Sequence, residues 1–528
     1  VIRFGTLLLL LLLAASAYAG PAFAQPVVAE TGTAATFNAP LATAVYSTAL
    51  SFMAPRTLDA VAVSQLTVWG LHGLTALDPD LAVEARDGVL RLSLPGRPLA
   101  SAPAPTGEDP AAWAAAAAQL STAAWGASAK LRRAGTTGMI TNFFDEIFNH
   151  LDPYSRYVAP VDAAADRARR SGSAGAGITL SAENGAILVQ LVVADGPGAA
   201  AGIRHGDAVV AVNGEPTRGL GASTVADAIA GPEQTRVAVT VRGRDGRVRT
   251  LDIMRAMVPP ETVFVERLRD ALLIRITEFD RATADRLARA LSAALSDQTS
   301  AAHPIPGIIL DLRGDPGGLV REAVGAADSL LAAGVVARAV GRDPDATQVW
   351  RSSDGQLADD LPVVVVVDGR TASAAEILAA ALADRGRAVV VGSATLGKGL
   401  VQTIAPLPDG GELFVTWSRV LAPRGWPLQG LGVLPQVCTS LGQSALQSEL
   451  DALDQGVQPM AEAIARDRAA RAPLPPAQAV AIRAACPAAE GSDADITTAR
   501  YLIQHPGAYV TALLPPMREP GAASLGAR

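Results

Sequence analysis

Ser373 and Lys398 offer the most chemistry of any pair in this chain. Of its 44 Lys+Arg residues only two are lysine, Lys130 and Lys398. Arginine supplies a fixed positive charge because it does not lose its proton in a protein. A desolvated lysine can lose one and then act as a base. Lys398 lies in Val391-Gly-Ser-Ala-Thr-Leu-Gly-Lys398-Gly, twenty-five residues beyond Ser373 in Thr371-Ala-Ser-Ala-Ala-Glu376. A serine nucleophile needs a base. The five histidines, His72, His150, His205, His303 and His505, stand in no glycine-framed motif at a strand end. There is no Gly-x-Ser-x-Gly elbow and no His-Glu-x-x-His. Serine–lysine chemistry remains, with Lys398 as base. Apolar Leu396, Leu400 and Val389–Val391 would desolvate the amine, and Gln402 is spaced to hydrogen-bond it.

Each of these residues has a plainer reading. Taken alone, Ser373 is a helix N-cap: Val363–Val367 precedes it as a strand, and Ala374 to Asp384 follows with helical character. The same placement, at the carboxyl end of a strand and the N-terminus of a helix, is where open α/β sheets put their sites. Gly392 to Lys398 also fits Gly-x-x-x-x-Gly-Lys, the phosphate loop. That loop requires Ser or Thr next and then a helix. Here Gly399 follows, and Leu400–Ile404 with Pro406 and Pro408 reads as strand and turn. Asp311-Leu-Arg-Gly-Asp-Pro-Gly317-Gly318 ends another strand. Backbone N–H groups of Gly317 or Gly318 would complete an oxyanion hole with that of Ala374. The plainer reading is an ordinary strand–helix turn.

The elements that must position these residues follow from pattern. The 528 residues suggest about three to four domains. Hydrophobic content of 49% and charge of 18% describe a globular chain with a large core. A net charge of −7, with 4% aromatics and no basic patch, argues against nucleic acid. Arg3, the apolar run Leu7–Leu13 and Ala22-Phe-Ala24 read as a cleaved secretory signal, too short for a membrane span. Export makes a Cys438–Cys486 disulfide the favoured reading over two free thiols.

Residues 41–78 show helical spacing, and a hairpin turns at Arg86-Asp87-Gly88. Residues 95–107 read as a loop. Asp109 caps a helix running from Pro110 to about Arg133, and another covers about 137–150. From 174 to 257 short strands alternate with glycine turns. From 260, strands 271–276, 307–312, 362–367 and 388–391 alternate with helices 281–296, 319–332 and 373–384. Nearly continuous apolar strands predict a covered, largely parallel α/β sheet. Helices return after 438.

In order along the chain, six motifs resemble the C-terminal processing peptidases, also called tail-specific proteases, of serine peptidase family S41. They are Leu151-Asp-Pro-Tyr-Ser155, Gly175-Ala-Gly-Ile178, Ala201-Gly-Ile-Arg-His-Gly-Asp207 with Asn213-Gly214, Asp311 to Gly318, Thr371 to Glu376, and Gly397-Lys-Gly-Leu-Val-Gln402. The resemblance covers about residues 140–437. It implies a multidomain chain in which a mainly β PDZ domain with short helices at 174–257 precedes an α/β protease core at 259–437 with a sheet like that of the Clp protease and crotonase families; outside that span the sequence pattern itself reads as a signal peptide at 1–24, a mainly helical region at 25–160 and a helical region at 438–528. The resemblance implies that Ser373 is nucleophile, Lys398 general base and Gln402 its orienting partner, with Asp384 in a structural or electrostatic role. Gly175, Ala176, Gly177 and Ile178 would take a chain-terminal carboxylate. The implied activity is an exported, periplasmic serine endopeptidase acting on protein tails, without metal or cofactor. A periplasmic adaptor and a homo-oligomer are compatible partners. The alternative is a catalytically silent PDZ scaffold. Two residues depart from the family pattern: Asp315 stands where Asn is usual, and Ala375 where Ser is frequent.

Overall fold

A computed structural model describes residues 36–171, 173–193, 195–298 and 305–516. The expected signal peptide and His303 lie outside them. No described helix is long and apolar enough to cross a membrane.

The organising element is a six-stranded sheet. Its order is Val263–Arg267, Leu272–Ile276, Ile308–Asp311, Val363–Val367, Ala388–Gly392 and Val437–Cys438. The first pair is antiparallel and the rest run parallel. Val363 to Val367 and Ala388 to Val391 are buried on both faces, which is why they read as unbroken apolar runs. One face packs on helices Thr283–Gln298, Val320–Asp328 and Ala374–Asp384. The other packs on helices from the C-terminal region, through Leu446, Leu450 and Leu453, then Leu502 and Ile503. Residues after 438 are therefore the second cover of the sheet, and Cys438 and Cys486 are disulfide-bonded there.

A second sheet runs Gln348–Ser352, Gly334–Gly341, Glu412–Leu421 and Leu400–Pro406, with Arg156–Val158 added along Glu412–Leu421. Its outer face carries the N-terminal helices: Leu413, Val415 and Tyr157 share one cluster with Phe143, Phe144 and Ile147. The segment 41–78 is two helices, Ala39–Arg56 and Val63–Leu77. The hairpin forms, with Asp87 and Gly88 both at positive φ. The expected loop at 95–107 instead contains a third strand, Arg97–Pro103. Its prolines are tolerated because it is an edge strand. The single helix expected from 110 to 133 is broken at Ser128, whose hydroxyl caps Lys130 and Leu131; the helical run Ala129–Asn149 that follows is itself kinked at Gly135 (φ 73°, ψ 173°), and its second part is the helix expected at about 137–150. Lys130 pairs with Asp78 at 2.7 Å, far from Lys398 in role.

Residues 173–258 form a third unit with its own core, including Val189, Val209, Val225, Val239 and Ile253. Its sheet order is Val248–Met254, Arg236–Arg242, Ala208–Val212, Ala186–Val192 and Ile178–Glu183. Asn213 and Gly214 turn at positive φ, and buried Asp207 accepts from Arg249 at 3.0 Å. A two-stranded neck, Ser173–Gly175 against Ala256–Val258, joins the unit to the rest.

Candidate active site

Ser373 occupies the N-cap position of helix Ala374–Asp384, as strand and helix spacing predicted. Its backbone is unusual: φ is 55° and ψ is −114°. A non-glycine residue there is strained, and such strain persists only where surroundings over-determine it. Three contacts do so. Glu376 accepts the Ser373 N–H at 2.8 Å. Ala372 N–H donates to the Asp315 carbonyl at 2.9 Å. Gly317 packs so closely that a Cβ on it would lie 2.7 Å from the Cβ of Ser373.

Glu376 is the hub of the site. It is fully buried and accepts from four donors: Ser373 N–H, Thr395 Oγ1, Gly397 N–H at 2.7 Å and Lys398 N–H at 2.8 Å. One carboxyl group thus ties the backbone of Ser373 to that of Lys398. Burial raises its pKa, and these hydrogen bonds oppose the rise. In the sequence Glu376 stands only as the last residue of the motif Thr371 to Glu376. Its signal was the spacing Ser-x-x-Glu, the capping box.

Lys398 lies in an extended segment that enters strand Leu400–Pro406. No helix follows it, so the phosphate-loop reading falls. Its pKa is lowered, first by burial and then by the Arg156 charge, against an upward pull from Glu376. Its Nζ stands 5.2 Å from the ring centre of Tyr154.

Gln402 is set by a relay that the sequence did not reveal. The Asp152 carboxylate accepts from Thr416 Oγ1 at 2.6 Å, so that hydroxyl must itself accept from Gln402 Nε2 at 3.1 Å. The amide nitrogen of Gln402 is thereby committed. Its oxygen is the end left for an amine N–H. Asp152 also receives the N–H groups of Tyr154 and Ser155, and Ser155 Oγ accepts from Thr416 N–H. The motif Leu151–Ser155 is therefore a strap that places Tyr154 against Lys398 and orients Gln402.

The expected oxyanion donors divide. The Gly317 N–H is already donated to Asp315 Oδ1 at 2.7 Å. The N–H groups of Gly318 and Ala374 have no hydrogen-bond partner among the described residues. Gly317 and Gly318 have φ of 92° and 148°, and a Cβ at Gly318 would strike the Phe279 carbonyl. Asp384 lies at the other end of the helix, roughly 16 Å away at 1.5 Å per residue. It is buried and accepts from Trp426 Nε1 at 2.8 Å, and Arg468 pairs with it at 2.7 Å. Its contacts are those of a buried charge that anchors the far end of the helix, away from Ser373. Among the described histidines, His150 stacks on Trp69, His205 bonds the Gln190 carbonyl and His505 stacks on Tyr501.

In the 173–258 unit, strand Ile178–Glu183 is a free sheet edge facing helix Ala222–Ile229. Between them lies a cavity of about 680 Å³, bordered by Gly175 to Ile178, Leu180 and Ile229. The carbonyls of Ala176 and Gly177 are tied to Gly198 and Val193. The Ala176 and Gly177 N–H groups have no partner among the described residues.

A strained serine on a strand–turn–helix, a lysine of depressed pKa tied to it through Glu376 and a small β unit with an open strand edge are the parts of a serine-type peptidase. The family models and the curated relatives agree. The model of peptidase family S41 matches residues 270–439, and that of a PDZ domain matches 188–243. The "Carboxy-terminal-processing protease" of Bartonella bacilliformis is 32% identical over 304 residues, 57% of this chain and 69% of that protein. The "Probable CtpA-like serine protease" of Staphylococcus aureus is 32% identical over 313 residues, 59% of this chain and 60% of that protein. The solved photosystem II D1 C-terminal processing protease is 28% identical, with 58% of this chain and 87% of that one covered, at a TM-score of 0.34. The chain belongs to the carboxy-terminal-processing proteases of peptidase family S41.

Proposed function

We propose that this protein is an exported, periplasmic endopeptidase that works by a Ser373–Lys398 dyad on substrates recognised by their C-terminal tails. The observation that carries the reading is the Glu376 carboxyl group, which holds the backbones of Ser373 and Lys398 together. Ser373 Oγ attacks the scissile carbonyl while neutral Lys398 takes its proton. Gln402, with its nitrogen fixed by Thr416, offers its oxygen to the lysine amine. Gly318 and Ala374 N–H groups receive the oxyanion. The intermediate collapses as the C–N bond breaks and the Lys398 ammonium gives its proton to the leaving amine; neutral Lys398 then takes a proton from the water that attacks the acyl-enzyme and returns it to Ser373 Oγ as the acid product leaves. The Gly175–Ile178 loop takes the tail carboxylate, and the tail adds as a strand to the edge Ile178–Glu183. Export is supported by the N-terminal pattern and by the Cys438–Cys486 pairing.

Ser373→Ala and Lys398→Arg should each abolish cleavage of a peptide with an apolar C-terminus. Ordinary turnover by Lys398→Arg would sink the lysine-base mechanism. A wild-type protein that holds such a tail in a stable complex and leaves it uncut would instead establish the silent PDZ scaffold.

A further inference from the structure

Asp315 is the one residue of the oxyanion loop that departs from the family pattern in charge. It is fully buried. Its Oδ1 accepts the Gly317 N–H, and its backbone carbonyl accepts the N–H of Ala372, next to the nucleophile. Its Oδ2 is buried with no hydrogen-bond partner. An asparagine here would carry an uncharged NH2 at that place. A carboxylate would carry an uncompensated charge in a dry pocket, which a protein avoids by keeping the proton.

The charges around Asp315 do not offset that cost. Glu278, from the turn before Phe279, adds repulsion. Asp368, from the turn before the nucleophile helix, accepts the Gly314 N–H, and Arg370 of that turn reaches 3.8 Å from where a Cβ of Gly314 would lie. On its own loop Asp311 and Arg313 are paired with each other. Behind Ser373, Glu376 is buried and is the carboxyl group that acts on Lys398. Burial, with Glu278 behind it, pushes the Asp315 pKa up to about 8, against the Gly317 hydrogen bond.

We propose that Asp315 is a positioning residue that works only as the neutral acid, holding Gly317 so that the Gly318 N–H faces the oxyanion. Its ionisation sets the alkaline limit of the peptidase. Loss of the proton puts a negative charge beneath the place where the tetrahedral intermediate develops its own. The dyad and the loop then oppose each other in pH: Lys398 must be deprotonated and Asp315 protonated. The inference rests on the assignment of Ser373 as nucleophile.

The test is Asp315→Asn, an uncharged isostere, with two readouts. The first is kcat/KM for a peptide with an apolar C-terminus from pH 6 to 10. Wild type should rise and then fall by about tenfold per pH unit beyond the Asp315 ionisation. The variant should rise and level off, whatever its absolute rate. The second is the melting temperature across pH. An acid whose folded pKa lies above its unfolded value contributes stability below the unfolded pKa and loses it as pH rises to the folded one. The variant should therefore gain on wild type steadily between about pH 4 and 8. A melting-temperature gap independent of pH overturns the proposal, because Asp315 then holds no extra proton. A growing gap with an unchanged alkaline limb in the variant overturns it too, because the proton then has no hold on catalysis. A wild type inert at every pH with a growing gap points to failure of the peptidase assignment itself, and the catalytic role of Asp315 falls with it.

Discussion

Glu376 receives four donors on two oxygens, so an amide cannot replace it without leaving a donor facing a donor. Glu376→Gln should cost about 1–3 kcal/mol of stability, the penalty of an unmet buried hydrogen bond. It should lower kcat more than it raises KM, because the displaced groups are Ser373 and Lys398 and not the substrate. Thermal unfolding beside steady-state kinetics checks both, and an unaltered kcat would show that the two loops hold position without it. Lys398 gives the second expectation at this scale. Burial depresses its pKa, so folding releases a proton between its folded pKa and its ordinary range. The destabilising effect is largest at low pH and fades as pH climbs toward the ordinary lysine value near 10.4. Lys398→Met should melt above wild type at pH 7, with the gap closing as pH approaches 10. Melting scans at a series of pH values read this directly, and a constant gap would contradict the desolvated base.

The strap Leu151–Ser155 and strand Glu412–Leu421 act on the site only through each other. Thr416→Val keeps the shape and removes the hydroxyl between Asp152 and Gln402. Gln402 then loses the partner that fixes which end of its amide faces the lysine. About 1–3 kcal/mol is at stake, or roughly 5–150-fold in kcat/KM. A shift in the acid limb of the pH profile should accompany it, since Gln402 acts through Lys398. An altered rate with an unmoved limb would reduce Thr416 to a packing residue. This relay also shows what sequence could and could not disclose. The placement of Ser373, Lys398 and Gln402, the residues of the proposed dyad and its partner, was legible because strand–turn–helix patterning and local spacing carry it. Thr416 was not, because 264 residues separate it from Asp152 and only strand pairing brings them together. The core strands were legible from unbroken valine runs. Strand Arg97–Pro103 was hidden by prolines that only an edge position tolerates. Gly317 was read as an oxyanion donor because a Gly-Gly pair offers two equivalent N–H groups in sequence. The Asp315 side chain, folded back two residues, distinguishes them.

At the scale of the whole molecule, the parallel sheet is stable only because both faces are covered, one of them by helices after Cys438. Each buried leucine there contributes about 1.5–3 kcal/mol. The disulfide closes a separation of 48 residues across that cover. On the chain-entropy account its loss costs about 3–4 kcal/mol. Cys438→Ser with Cys486→Ser should then speed hydrogen exchange in helices Pro476–Arg483 and Asp493–Gln504 by on the order of 10²–10³-fold. The PDZ unit stands in a different relation to the rest. It has a separate core, and its neck brings Gly175 opposite Ala256 in antiparallel register. Paired ends of that kind can be closed by a two-residue hairpin turn. Replacing residues 176–255 by such a turn should leave the core folded, with Ser373, Glu376 and Lys398 in place. The shortened protein should still cut an unstructured peptide, yet lose its preference for a free C-terminus. The reading is the ratio of kcat/KM for a peptide acid over the same peptide with an amidated end. It should fall by about tenfold or more, the cost of one charged hydrogen-bonded contact at the Gly175–Ile178 loop. If the ratio survives removal of the unit, the tail carboxylate is read by the core, and the groove beside Ile178–Glu183 serves something else.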